Sequence, residues 1–155
     1  MFKAMRRSER QLSKEEALRI LEKGDYGTLS TWNGRYPYCV PVNYIFLDGS
    51  IYFHTALEGH KIENIKNYPL VSFSVVTKSI INPRELSTRY ESVIAFGKAE
   101  LITDEEEKKR ILRNLVKKFA PDYESLGEEC ISSTLKQTGI VRISIEHITA
   151  KANRG

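Results

Sequence analysis

Two cysteines, three histidines and one tryptophan stand in a chain of 155 residues. Cys39 and Cys130 have no CxxC partner, and no Cys/His set has zinc spacing, so no metal site is expected. Spacing alone leaves a Cys39 to Cys130 disulfide open, but two reduced, partly buried cysteines in a cytoplasmic protein are the simpler reading. There is no signal-peptide h-region and no 18-residue apolar run. Secretion and membrane spanning therefore lack a sequence basis, and a cytoplasmic location is the default expectation. No GxGxxG follows a strand and no GKS/T phosphate loop occurs, which argues against nucleotide-driven phosphoryl transfer. The acidic residues form no recognisable nuclease cluster, and scattered serine, histidine and carboxylates do not make a hydrolase triad. Internal repeats and low-complexity tracts are also missing.

A hydrophobic fraction of 41% supports a folded domain, and the length allows one sizeable core. A net charge of +4 suits an anionic ligand, while the absence of a long basic block gives no support to specific nucleic-acid recognition. Residues 1–11 read as a flexible, basic arm and residues 12–155 as one domain. Ser13 and Glu16 form a capping box, with Leu12 and Ala17 placed as a hydrophobic staple, and Gly24 closes the helix. Tyr26 to Trp32 reads as a strand ending at an Asn33-Gly34 turn. Trp32, at the strand end, reads as packing rather than cofactor contact.

Val40, Val42, Tyr44 and Phe46 alternate with Pro41, Asn43, Ile45 and Leu47. Asp48-Gly49 then signals a turn, and Ser50 to His54 resumes an extended pattern, so the stretch predicts a hairpin whose edge carries Asn43 and His54. A short helix follows over His60 to Tyr68. Its first turn begins with His60 and Lys61, cations at the positive end of the helix dipole, which points to a nearby anion such as phosphate. Solvent exposure or a neighbouring carboxylate is the competing explanation.

Leu70 to Val76 predicts another strand, and Thr77 to Glu91 an irregular loop that can form a ligand rim. Ser92 to Leu101 returns to strand. Thr103 with Glu106 predicts a second capping box, followed by an amphipathic stripe of Ile111, Leu112, Leu115, Val116 and Phe119 read as core packing. Pro121 ends that helix, one or two short helical segments follow, and a last strand runs from Gly139 to about Thr149. His147 falls near its end and reads as structural or exposed.

Taken in order, Gly27-Thr28-Leu29-Ser30-Thr31, Tyr36-Pro37-Tyr38, Val40-Pro41-Val42-Asn43-Tyr44, Ile51-Tyr52-Phe53-His54, Gly59-His60-Lys61, Asn67-Tyr68-Pro69 and Ser92 to Ala99 resemble the FMN-binding split-barrel family. The resemblance is to its pyridoxamine-phosphate-oxidase-related branch, which includes the nitroimidazole-resistance proteins, and it covers about Leu12 to Ile148. It implies a mainly β fold, an FMN-binding split barrel with peripheral helices, and a homodimer with cofactor sites at the subunit interface. It also implies that Pro41, Val42, Asn43 and Tyr44 lie beside the isoalloxazine. Thr55, His60, Lys61 and Ser92 would serve the phosphate side, while Arg89 and Tyr90, with Glu91, would border the site from the partner subunit. His60 stands where the family more often has arginine. His54 is the candidate reactive-site residue. The activity implied is FMN-dependent transfer of reducing equivalents from NADH or NADPH to a small oxidised acceptor, with nitroaromatics the nearest analogy. The alternatives are a non-enzymatic flavin- or haem-binding protein and, more remotely, a basic nucleic-acid-binding module.

Overall fold

Ser13 opens the first helix, α1 (Lys14–Lys23), through the expected box: its Oγ accepts from the Glu16 N–H, and its own N–H donates to the Glu16 carboxylate, each at 3.2 Å. Ala17, Ile20 and Leu21 turn inward, and the Gly24 N–H closes the helix on the Ile20 carbonyl. The computed structural model describes residues 1–155. Seven strands follow: β1 (Tyr26–Trp32), β2 (Pro37–Asn43), β3 (Ile45–Leu47), β4 (Ser50–Ala56), β5 (Leu70–Asn82), β6 (Ser87–Ile102) and β7 (Thr138–Asn153). They form one antiparallel sheet in the order β2-β1-β5-β6-β7-β4-β3. Three further helices complete the chain: α2 (His60–Asn67), α3 (Glu105–Phe119) and α4 (Glu124–Thr134).

The inward positions of the strands close one main core, in which Leu29, Phe53, Phe73, Val93 and Ile143 are fully buried. Burying each such side chain contributes about 1.5–3 kcal/mol, offset by the conformational entropy lost on folding. A smaller cluster of Ile45, Tyr52, Ile111, Leu115 and Ile140 sits beneath α3.

The central stretch departs from a single hairpin. Tyr44 breaks the strand, so that β2 pairs with β1 (Val42 opposite Gly27) while β3 pairs with β4 (Phe46 opposite Ile51). The break buries the Tyr44 ring, whose edge meets Phe73 at 5.0 Å and whose hydroxyl donates to the Leu21 carbonyl. Alternating apolar residues read the same in one strand or in two, so periodicity could not reveal this break.

The expected loop over residues 77–91 is instead a two-stranded ribbon. β5 and β6 remain paired from Lys78 opposite Glu91 to Asn82 opposite Ser87, and only Pro83 to Leu86 turn. A register shift between Val76 and Lys78 interrupts the alternation, and solvent on both faces removes the burial pattern that marks a strand. The α3 cap is also displaced by one residue from Thr103: the Asp104 carboxylate accepts from the Glu107 N–H at 2.9 Å. Pro121 lies just beyond the end of α3, as expected.

The N-terminal arm lies along the outer side of β6 and β7. Phe2 stacks on His147 with ring centroids 4.3 Å apart, and Gln11 bridges to Lys151. Cys39 and Cys130 are unpaired thiols and are exposed, where partial burial was expected.

Candidate functional site

The chain enters α2 through Gly59, whose φ of 130° and ψ of 173° are open to glycine and strained for other residues. Ile62 and Ile65 are buried, and the buried Asn64 amide donates to the Thr31 hydroxyl at 2.9 Å, fixing the helix on β1. That orientation leaves His60 and Lys61 at the start of the helix. No side chain caps this end. Neither side chain takes part in an ion pair, so the neighbouring-carboxylate explanation for the basic pair falls away. His60 stacks on Tyr38 at 4.1 Å.

Thr55 ends the inward-facing row of β4 and is only 8% exposed. Its Oγ1 is buried without a hydrogen-bond partner. Leaving such a hydroxyl unpaired costs about 1–3 kcal/mol. A buried, unsatisfied hydroxyl on the strand that leads into an uncapped, doubly basic helix start fits a site for an anionic group.

Asn43 and His54 occupy β2 and β4, which lie toward opposite ends of the sheet order, yet both border one cavity of about 540 Å³ beneath α3 and α4. His54 is exposed on the face opposite Phe53 and Thr55. Asn43 donates its amide to the Asp25 carbonyl at 3.1 Å. Pro41 shares the exposed face of β2 with Asn43, whereas Val42 leans on the main core.

Tyr44 is turned away from the ligand-contact role expected for it. Its side chain is fully buried, its N–H donates to the Asp25 carbonyl at 3.4 Å, and its carbonyl accepts from the Lys118 ammonium at 3.1 Å. Lys118 also donates to the Gly24 carbonyl and lies 4.7 Å from the Tyr44 ring centre. Tyr44 and Lys118 thus brace the strand break that presents Asn43. Sequence reasoning missed Lys118 because a lysine in a helix's last turn has an ordinary role against the dipole.

This brace predicts a pH response. Burial, with a smaller push from the Asp25 charge, holds the Tyr44 hydroxyl far above the usual phenol range. In the unfolded chain the phenol ionises near about pH 10, so its contribution is fully present below that pH and lost as pH rises further. Lys118 acts oppositely: desolvation lowers its pKa, so its contribution improves as pH rises through the lowered folded value. Lys118 keeps two carbonyl acceptors and is only part-buried, so Tyr44 should dominate. Thermal melts of Tyr44→Phe should show a loss of about 1 kcal/mol at neutral pH and a shallower decline than the parent above about pH 10. Parallel declines in the two proteins would remove Tyr44 as the source.

Arg89, Tyr90 and Ser92 lie on β6 within the ribbon and strand, not on a loop. Within one chain, Ser92 lines a different cavity of about 510 Å³, between the N-terminal arm and the outer face of β6 and β7. Tyr90 lies under the cations of Arg10 and Lys151, and Arg89 Nε is the second buried polar atom without a partner.

The seven-stranded mainly β sheet with peripheral helices is the FMN-binding split-barrel fold. The chain belongs to the pyridoxamine 5'-phosphate oxidase family, whose sequence profile matches residues 13–152. Three solved structures illustrate the shared fold. A proposed 5-nitroimidazole antibiotic resistance protein from Bacteroides thetaiotaomicron is 21% identical with a TM-score of 0.76, over 91% of this chain and 85% of that one. The flavocytochrome Anf3 from Azotobacter vinelandii is 21% identical with a TM-score of 0.82, over 98% and 73%. A FAD-binding protein from Mesorhizobium loti is 23% identical with a TM-score of 0.70, over 93% and 97%. No curated protein sequence matched the chain. No helix is long and apolar enough to cross a membrane, and no group of three or more His, Cys, Asp or Glu is placed to hold a metal.

Proposed function

We propose that the chain binds FMN and works as an oxidoreductase, moving reducing equivalents from NADH or NADPH to a small oxidised acceptor. The observation that carries the cofactor assignment is the buried Thr55 hydroxyl without a partner, on the strand leading into the uncapped start of α2 with its unpaired His60 and Lys61. Family membership supports the flavin as the source of the anion. Thr55, His60 and Lys61 would hold the phosphate through charge-assisted hydrogen bonds and the helix dipole. Pro41, Val42 and Asn43 would line the isoalloxazine, with Tyr44 supporting them from behind. When bound, FMN supplies the electron-carrying chemistry. His54, exposed on the cavity side of β4, would orient a ligand and exchange a proton with it at a ring nitrogen.

A homodimer belongs to the same proposal. Leu70, Val76, Ile80, Ile81 and Ile94 are exposed along β5 and β6, with Ile81 at 76%, and this apolar surface supports a second copy as its cover. Arg89, Tyr90 and Ser92 would then reach the flavin across the interface, and the unpartnered Arg89 Nε would gain an acceptor.

Anaerobic mixing of the FMN-loaded protein with NADPH or NADH tests the activity. The oxidised flavin absorbance should bleach with at least one donor and return when nitrobenzene is added. A bound flavin that neither donor bleaches would replace this reading with a non-enzymatic flavin-binding protein.

A further inference from the structure

We propose that the cavity under α3 and α4 binds a small, uncharged, predominantly apolar molecule with one polar group set against His54. As the class of acceptor this deepens the oxidoreductase reading and rests on it, although binding itself can be measured without flavin. The volume of about 540 Å³ lies within the range of small-molecule sites, on the order of 300–1,000 Å³. Leu112, Val116, Phe119, Tyr123, Leu126 and Ile131 supply most of the wall, and no lysine, arginine, aspartate or glutamate borders it.

Two features of α3 and α4 show that this space is more than a gap in the main packing. Ile111, Leu112 and Leu115 seat α3 on the second core cluster, and Val116 and Phe119 continue the apolar surface round the flank into the cavity that Leu112 and Leu115 also border. At Gly127, α4 approaches so closely that an added Cβ would lie 2.7 Å from Val116 Cγ1.

The polar inventory sets the chemistry of the occupant. The Thr134 and Thr138 hydroxyls donate to the carbonyls of Cys130 and Thr134, at 2.7 and 2.9 Å, which leaves their oxygens only as acceptors, and one of the two Asn43 amide N–H groups is used on Asp25. The His54 ring, the Asn43 carbonyl and the Tyr123 hydroxyl make no protein hydrogen bond and remain to orient a ligand. The groove is open to solvent at Tyr123 and Leu126 and offers no fixed countercharge to an ion, while its apolar wall rewards burial of apolar surface, so a neutral molecule gains more from it than a charged one. The cavity under the N-terminal arm differs, since Lys3 and Lys151 border it with no acid.

The full-length protein, with and without FMN, should be titrated with N-phenyl-1-naphthylamine, a neutral fluorophore, and with 8-anilinonaphthalene-1-sulfonate, which adds only the charged sulfonate to the same skeleton. One saturable neutral-probe site per chain is expected, with the sulfonate binding about tenfold or more weakly. Cys130 borders the cavity and Cys39 does not, so saturating neutral probe should slow iodoacetamide labelling of Cys130 about fivefold and leave Cys39 unchanged. Leu126→Glu, at an exposed rim position, should weaken the neutral probe about tenfold. The Cys130 readout needs no variant and stands if Leu126→Glu fails to fold. Absence of saturable binding, equal affinity for the sulfonate, or unprotected Cys130 at saturation would overturn the proposal. So would self-association that excludes the probe, which would assign the face to a second copy. Probe binding with protection, but without flavin reduction, would uphold this site and sink only the oxidoreductase reading. Flavin turnover without probe binding would do the reverse.

Discussion

Lys61→Ala is expected to raise the FMN dissociation constant by about 10- to 100-fold, the equivalent of losing one charge-assisted hydrogen bond of about 1.5–3 kcal/mol. The prediction rests on the setting of the side chain. Lys61 sits at the positive end of α2, has no carboxylate partner, and is part-buried beside an uncapped first turn. An ammonium there opposes the helix dipole unless an anion joins it, so the apo protein should lose little stability from the substitution. Lys61→Arg keeps the charge and should retain more of the affinity. Raised salt should weaken the parent more than Lys61→Ala, because the substitution removes one of the screened charges. Isothermal titration or flavin fluorescence quenching measures the constant. An unchanged value would place the phosphate elsewhere.

The second large effect is on stability. Gly97→Ala should cost about 3 kcal/mol and lower the melting temperature by roughly 6–12 °C. Gly97 pairs with Ile145 at the β6 to β7 irregularity, where the register slips after Phe96 and His147. A Cβ at Gly97 would overlap the Ser144 carbonyl oxygen, and Ile143 Cγ2 stands 3.1 Å from the same point. The obstacle is backbone held in a central ladder, which cannot swing aside as a flexible side chain would. Relief requires β6 and β7 to separate or slide, and these strands carry Val93, Ala95 and Ile143 of the main core. A melting temperature within about 1 °C of the parent would show that the ladder yields cheaply.

The sequence announced features whose signal is local. The Ser13 box, the Tyr26 to Trp32 strand, the His60 helix and the Pro121 stop all follow from residues a few positions apart, and each lies where it was expected. Features decided by distant contacts were less legible. Tyr44 leaves its strand because Leu21 and Phe73 offer its ring and hydroxyl a buried place, a choice invisible in the alternation of Val40 to Phe46. The ribbon beyond Val76 is held by cross-strand pairing with little burial, and burial is what a periodic pattern records.

The candidate site divides in the same way. His60 and Lys61 were readable because basic residues at a helix start are an electrostatic anomaly. Thr55 was marked only by the family resemblance, and its hydroxyl gained a physical reason once its burial and lack of a partner were known. Lys118 carried no warning, since its acceptors are the carbonyls of Gly24 and Tyr44, far away in the chain. The cavity beside α3 did leave a trace: Val116 and Phe119 beside Ile111, Leu112 and Leu115 make the apolar surface of the helix wider than seating on one core requires.

The central claim is that this split barrel holds FMN, and an ultraviolet-visible spectrum of protein purified without added cofactor, followed by FMN titration of any apo fraction, tests it most directly. The account predicts flavin absorbance bands or saturable binding of one FMN per chain. Neither a flavin spectrum nor saturable FMN binding would contradict it, and a haem spectrum in their place would assign the site to a different cofactor.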